Sequence, residues 1–241
     1  MSPPIVLAEP DRPFWGFGEV FLIAALFLPA VFAGSVAVQA ASGYLHIDPK
    51  LGLPLLTAEF IGYAIVFLAL RLLFARHQQP LFESLGWIPQ PFRPLHLAVI
   101  GIILALVVVV LGNVLGFPNV DTPFDKLLND ALSRIVIAVF GVTLGPVIEE
   151  LLFRGFLQPV LISSFGVLPG ILVTSLVFGG MHLMQNAFLW QSGVLITLVG
   201  FVLGVVRHVS GSTRASAITH VAYNVVPFLA LIASGGQAGH K

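Results

Sequence analysis

Cysteine is missing altogether from the 241 residues. Its absence excludes disulfides, thiolate metal sites and a cysteine nucleophile together. Charge is scarce as well: only 9% of residues are charged, with 11 Lys and Arg matched by 11 Asp and Glu. A soluble domain carries roughly 25%. The formal net charge is zero, so no basic balance argues for nucleic acid as a partner. The first residues, MSPPIVLAEPDRPFWGFGEV, lack a basic segment running directly into an apolar core. A cleaved signal peptide is therefore not expected, and the first apolar stretch reads as a retained helix.

What is present in excess is apolar surface. Hydrophobic residues make up 57% of the chain and the mean hydropathy is +1.00. Runs of 18 or more nearly uncharged residues are long enough to cross about 30 Å of hydrocarbon. Seven apolar stretches are expected, at 19–42, 54–75, 95–116, 131–161, 168–185, 190–206 and 215–234. The fourth is too long for one simple span, and Gly145-Pro146 lies within it. Proline there either kinks one helix or opens a second. The expected fold is all-α, a polytopic membrane bundle of seven or eight transmembrane helices.

Four regions are expected along the chain. They are an N-terminal segment (1–18), N-terminal membrane helices (19–130), a membrane core carrying the chemistry (131–234) and a disordered tail (235–241). The linkers are short and polar. The longest, 77–94, carries Trp87 at a position suited to a headgroup belt. The acidic stretch 119–130 is read as a short surface helix. With a cytoplasmic N-terminus and seven spans, Arg12, Arg71, Arg76, Arg93, Arg207 and Arg214 fall inside, while Lys50, Lys126, Arg134 and Lys241 fall outside. That bias agrees with the positive-inside rule, and an inner (plasma) membrane is the expected location. Gly200 and Gly204 form a GxxxG pair that reads either as a dimer face or, preferably, as close packing within the bundle.

Ionisable groups inside a span cost about 2.5–3.5 kcal/mol each on insertion scales and usually mark function. The first group is Glu149-Glu150-Leu151-Leu152-Phe153-Arg154. At about 100° per residue, Glu150 and Arg154 share one face, while Glu149 points about 100° away from Glu150. Arg154 is thus the natural partner of Glu150, and Glu149 has none on its own helix. A structural ion pair explains Glu150 and Arg154; it does not explain Glu149, which suits general acid–base work. The second group is Phe178-Gly179-Gly180-Met181-His182, with two glycines that permit a close approach. The third is His220-Val221-Ala222-Tyr223-Asn224, in which His220 and Asn224 share a face and can hold a water, a metal or an oxyanion. Arg71 and Glu59 read as near-interface residues.

The order EExxxR, FxxxH, HxxxN resembles the CPBP (CAAX protease and bacteriocin-processing, or Abi) family of intramembrane endopeptidases, which includes the type II CAAX prenyl endopeptidases. The resemblance rests on Glu149, Glu150 and Arg154, on Phe178 and His182, and on His220 and Asn224, and it spans roughly 131–234. It implies peptide-bond hydrolysis at a site open to the cytoplasmic side. By resemblance, Glu149 and His182 would hold and deprotonate a water, and His220 and Asn224 would stabilise the oxyanion. Glu150 and Arg154 would set the position of Glu149. The chain has no HExxH, GxSxG or GxGD, so zincin-like, rhomboid-like and aspartyl schemes lack their residues. The cofactor is left open: Glu149, His182 and His220 would make a three-ligand zinc site, but a metal held by Glu149 leaves no obvious free base, and none is favoured. Expected partners are a peptide or lipidated-protein substrate and the bilayer. A proton-coupled carrier and a non-catalytic, immunity-type membrane scaffold are the alternatives.

Overall fold

The computed structural model describes residues 13–45, 52–116, 131–183 and 185–233. The readings made for 1–12, the acidic stretch 119–130 and the tail 235–241 lie outside the described residues. Among those described, every regular element is helical.

α1 (Phe17–Leu45) and α2 (Gly52–Arg76) pack along one another. A four-residue turn of helix, α3 (Leu81–Ser84), leads to α4 (Pro94–Leu115). Pro94 opens α4, where its missing N–H does no harm, and Gly116 ends it at φ 62°. Next come α5 (Ala131–Val142), α6 (Leu144–Glu150), a π-helical segment (Leu151–Leu157) and α7 (Gln158–Phe165). α8 (Val167–His182) follows Gly166, whose φ of 88° turns the chain back. α9 (Trp190–Ser210) and α10 (Thr213–Ala233) are joined through Gly211 at φ 67°.

Five runs among the described residues are long and apolar enough to cross a membrane: Phe17–Tyr44, Pro54–Arg76, Pro94–Leu115, Ala131–Phe165 and Trp190–Ser210. α8 is a shorter apolar helix. At 21 residues, α10 is about 30 Å long. Large apolar side chains such as Ile103, Val110 and Val114 on α4 stay exposed, as a face turned to lipid requires. The chain is an integral, multi-pass helical membrane protein.

The expected break in the fourth stretch falls three residues before Pro146. Thr143 (φ −125°, ψ −87°) interrupts the helix and α6 restarts at Leu144, so Pro146 sits in a first turn, where no intrahelical N–H is needed. The π segment has no counterpart in the sequence reading. Its wider turn carries Arg154 and Gly155, and such segments often lie at functional sites.

Two linkers meet at one end of the bundle. Thr213 N and Oγ1 donate to Gly86 O (2.8 Å) and Leu85 O (2.6 Å), and Ser212 Oγ donates to Ile88 O (2.5 Å). The helices between these linkers are α4, the bent run α5–α7, α8 and α9. For both linkers to reach the same end, the run from Ala131 to Phe165 must act as one pass and not two.

Candidate functional site

The EExxxR, FxxxH and HxxxN groups converge where α6, the π segment, α8 and α10 meet. The i,i+4 spacing brings Glu150 and Arg154 together, with Arg154 Nη1 donating to Glu150 Oε1 at 3.0 Å. Both side chains are fully buried. The second Arg154 Nη donates to Gly200 O on α9 at 2.9 Å. One turn on, Gln158 Nε2 donates to Gly204 O at 3.1 Å. The two glycines therefore act inside the bundle: a Cβ at Gly200 would lie 3.2 Å from Ser175 Cα, and one at Gly204 would lie 2.8 Å from Ile171 Cγ2. The packing reading of GxxxG holds in this structure, since this face is already occupied.

Glu150 has a second partner from far along the chain. Its Oε1 accepts from His220 Nδ1 at 3.0 Å. A carboxylate only accepts, so the His220 proton stands on Nδ1 and its Nε2 is left free. That nitrogen lies 3.8 Å from Glu149 Oε2. His182 is arranged in the same way. Its Nδ1 donates to Phe178 O at 2.8 Å, which leaves Nε2 facing Glu149 Oε1 at 4.0 Å. Two imidazoles from different helices thus aim free ring nitrogens at the two oxygens of one carboxylate. Fixing one ring nitrogen to define the other is how such groups are oriented.

Accessibility divides the cluster by position. Glu149 and His182 are 24% and 22% exposed, His220 is 4% exposed, and Glu150 and Arg154 are sealed. Phe178 packs among them, with Arg154 Cζ 4.4 Å from its ring centre and the His182 and His220 rings at 4.7 and 5.9 Å. This aromatic face offers a cation–π partner to the buried guanidinium and a wall to both imidazoles.

Asn224 occupies the expected face of α10 and reaches across to α5, where Nδ2 donates to Gly141 O at 2.7 Å. One of its two N–H groups is thereby used. Of the glycines beside His182, Gly179 admits α9: a Cβ there would lie 2.8 Å from Gly193 O, whereas Gly180 has no atom within 4 Å of that position.

Glu59, read from the sequence as a near-interface residue, lies one turn before Tyr63 on α2. Tyr63 Oη donates to Glu59 Oε1 at 3.1 Å. Among the described residues, no three His, Asp or Glu side chains are grouped as metal ligands.

The fold and this cluster define a polytopic membrane protein with a carboxylate–imidazole centre held between its helices. Residues 131–226 match the family model described as type II CAAX prenyl endopeptidase Rce1-like, a match consistent with a CPBP-type intramembrane protease. Comparison with curated proteins and with solved structures gave no match.

Proposed function

We propose that the protein is an endopeptidase that hydrolyses a peptide bond near the membrane surface, in prenylated CAAX-type or other membrane-associated peptides, with Glu149 as its general base. The observation that carries this reading is the convergence of His182 Nε2 and His220 Nε2 on the Glu149 carboxylate at 4.0 and 3.8 Å. These gaps are too long for direct hydrogen bonds but admit a water oxygen about 2.8 Å from each neighbour. A water that donates one hydrogen to Glu149 and the other to His182 Nε2 keeps its lone pairs for a carbonyl carbon. As that bond forms, Glu149 takes a proton. It returns this proton to the nitrogen as the C–N bond breaks.

His220 and Asn224 are assigned to the oxyanion. With Nδ1 engaged by Glu150, His220 can donate from Nε2 only when both ring nitrogens carry protons, and it then brings positive charge to the developing oxyanion. The remaining N–H of Asn224 is the second donor. Donors of this kind contribute about 3–4 kcal/mol in the transition state. Glu150 and Arg154 act through His220, fixing the ring that faces Glu149.

Three features support a substrate that approaches from the membrane. His220 lies seven residues into α10, about 10 Å along its axis, so the centre is near one end of the bundle. That end carries Arg76, Arg93, Arg207 and Arg214, which assigns it to the cytoplasmic side, together with the N-terminus, in an inner membrane. A cavity of about 500 Å³ is bordered by Trp87, Ile102, Val147, Arg214, Ile218 and Val221, the last four from α6 and α10, which also carry Glu149 and His220. We assign it to the lipid chain of the substrate.

The test is cleavage of a short farnesylated CAAX-type peptide by purified protein in detergent. Wild type and Glu149→Gln are compared, each with and without a strong zinc chelator. Cleavage by wild type that survives chelation and is lost in the variant supports glutamate-activated water. Loss on chelation assigns Glu149, His182 and His220 to a metal instead. Undiminished turnover by Glu149→Gln removes Glu149 from the chemistry.

A further inference from the structure

Helical winding of the π type is rare and appears mostly at functional sites, so what holds it over Leu151–Leu157 bears on the chemistry. Pro159, in the first turn of α7, gives the winding a cause. It has no N–H, and in an unbroken α-helix its ring would press on the carbonyl of Gly155. Three consecutive residues of the segment then meet three different neighbours. Arg154 bonds Glu150 and Gly200 O inside the site. Gly155 lies against Leu85, whose O is 2.7 Å from a would-be Cβ. Phe156 O accepts from Trp15 Nε1 at 2.9 Å, and the two rings stack with centres 5.5 Å apart and planes 14° apart. Trp15 comes from 141 residues earlier in the chain and is 5% exposed. Phe14 and Phe74 pack on the same indole, with ring centres at 5.0 and 5.1 Å. A tryptophan that anchors to headgroups keeps its N–H at the wet interface; this one spends it inside, on the π segment.

We propose that Trp15 is a positioning residue for the site: its indole fixes the winding of Leu151–Leu157 and so keeps Arg154 and Glu150 where they orient His220. A slip of the winding by one residue turns one side of the segment against the other by about 100°. Glu150 stands just before the segment and Arg154 within it, so such a slip parts the guanidinium from Glu150 Oε1 or from Gly200 O. Glu150 Oε1 also accepts from His220 Nδ1 at 3.0 Å. A displaced carboxylate therefore releases the ring that faces Glu149. Trp15 acts through Phe156, Arg154, Glu150 and His220 in turn and touches none of the reacting groups. The inference rests on the reading of His220 as part of the catalytic centre.

The full-length protein in detergent tests this with Trp15→Phe, which keeps an aromatic ring on Phe156 and removes the N–H. Phe14→Leu is the matched control: it trims the same apolar cluster, and Phe14 has no bond to the π segment. In the peptide assay, Trp15→Phe is expected to lower kcat at least fivefold with KM within twofold. Phe14→Leu should stay within twofold of wild type in both. The second readout needs no turnover. In nuclear magnetic resonance of protein carrying isotope-labelled histidine, the Nδ1–H signal assigned by its loss in His220→Gln should shift or broaden in Trp15→Phe and stay in place in Phe14→Leu. If Trp15→Phe does not fold, 3-benzothienylalanine at position 15 keeps both rings, removes only the N–H, and is read in the same way. An unmoved His220 signal overturns the inference, as does a kcat within twofold of wild type, or the same changes in Phe14→Leu. If wild type cleaves no peptide, the endopeptidase reading falls, and the His220 signal alone decides whether Trp15 holds the site.

Discussion

Glu149 and Glu150 are neighbours in sequence with opposite surroundings, one 24% exposed and facing two free imidazole nitrogens, the other sealed against Arg154 and His220. Their substitutions should therefore fail in different ways. Glu149→Gln is expected to reduce kcat by about 10²–10⁴-fold, the range of a lost general base, with little change in thermal unfolding in detergent. Glu150→Gln leaves the buried Arg154 without its counter-charge and frees His220 Nδ1. It should destabilise by about 3–5 kcal/mol and also lower activity. Equal unfolding temperatures for the two variants would contradict this division. The spacing in the sequence predicts the Glu150–Arg154 pair, since both residues ride on one turn. The His220–Glu150 bond spans 70 residues, and periodicity within a helix cannot name a partner on another.

At the scale of elements, α4 and α10 are brought together at Gly101, whose Cβ position is filled by Thr219 O and Ala222 Cβ, beside His220. Gly101→Ala must push the helices apart there, and overpacking of this kind costs about 1–3 kcal/mol. Reduced unfolding temperature and reduced kcat are both expected. Gly180→Ala is the matched control, with no atom within 4 Å of the new methyl group. It should leave stability unchanged or slightly raised, because alanine is the better helix former. Apolar run length makes the helices legible, and Pro94, Gly116, Gly166 and Gly211 mark their ends. The restart at Leu144 and the π segment are not legible in the same way. They place Gly155 against Leu85 O, 2.7 Å from a would-be Cβ, and let Phe156 O accept from Trp15 Nε1 at 2.9 Å. Those adjustments answer neighbours that a local pattern does not contain.

For the whole molecule, the contact between the linker after α2 and the turn before α10 fixes both on one side of the membrane. The absence of cysteine makes this directly measurable. Gln79→Cys and His208→Cys, made singly, should react with a membrane-impermeant thiol reagent from the same side of oriented vesicles. Labelling from opposite sides would require the run from Ala131 to Phe165 to cross twice. The same experiment tests the cytoplasmic assignment of this end, which rests on the distribution of arginines.

The sequence by itself determined the membrane class, the helical content and the identities of the costly polar groups, because burying charge in hydrocarbon is penalised strongly enough to stand out in one dimension. Only the tertiary structure decided which of those groups meet. It turned His220 and His182 so that their free nitrogens face Glu149, and it engaged one Asn224 N–H with Gly141. The physical reason is that each of these contacts joins separate helices. Their strength depends on distances of about 3–4 Å, which are set by packing and not by spacing along the chain.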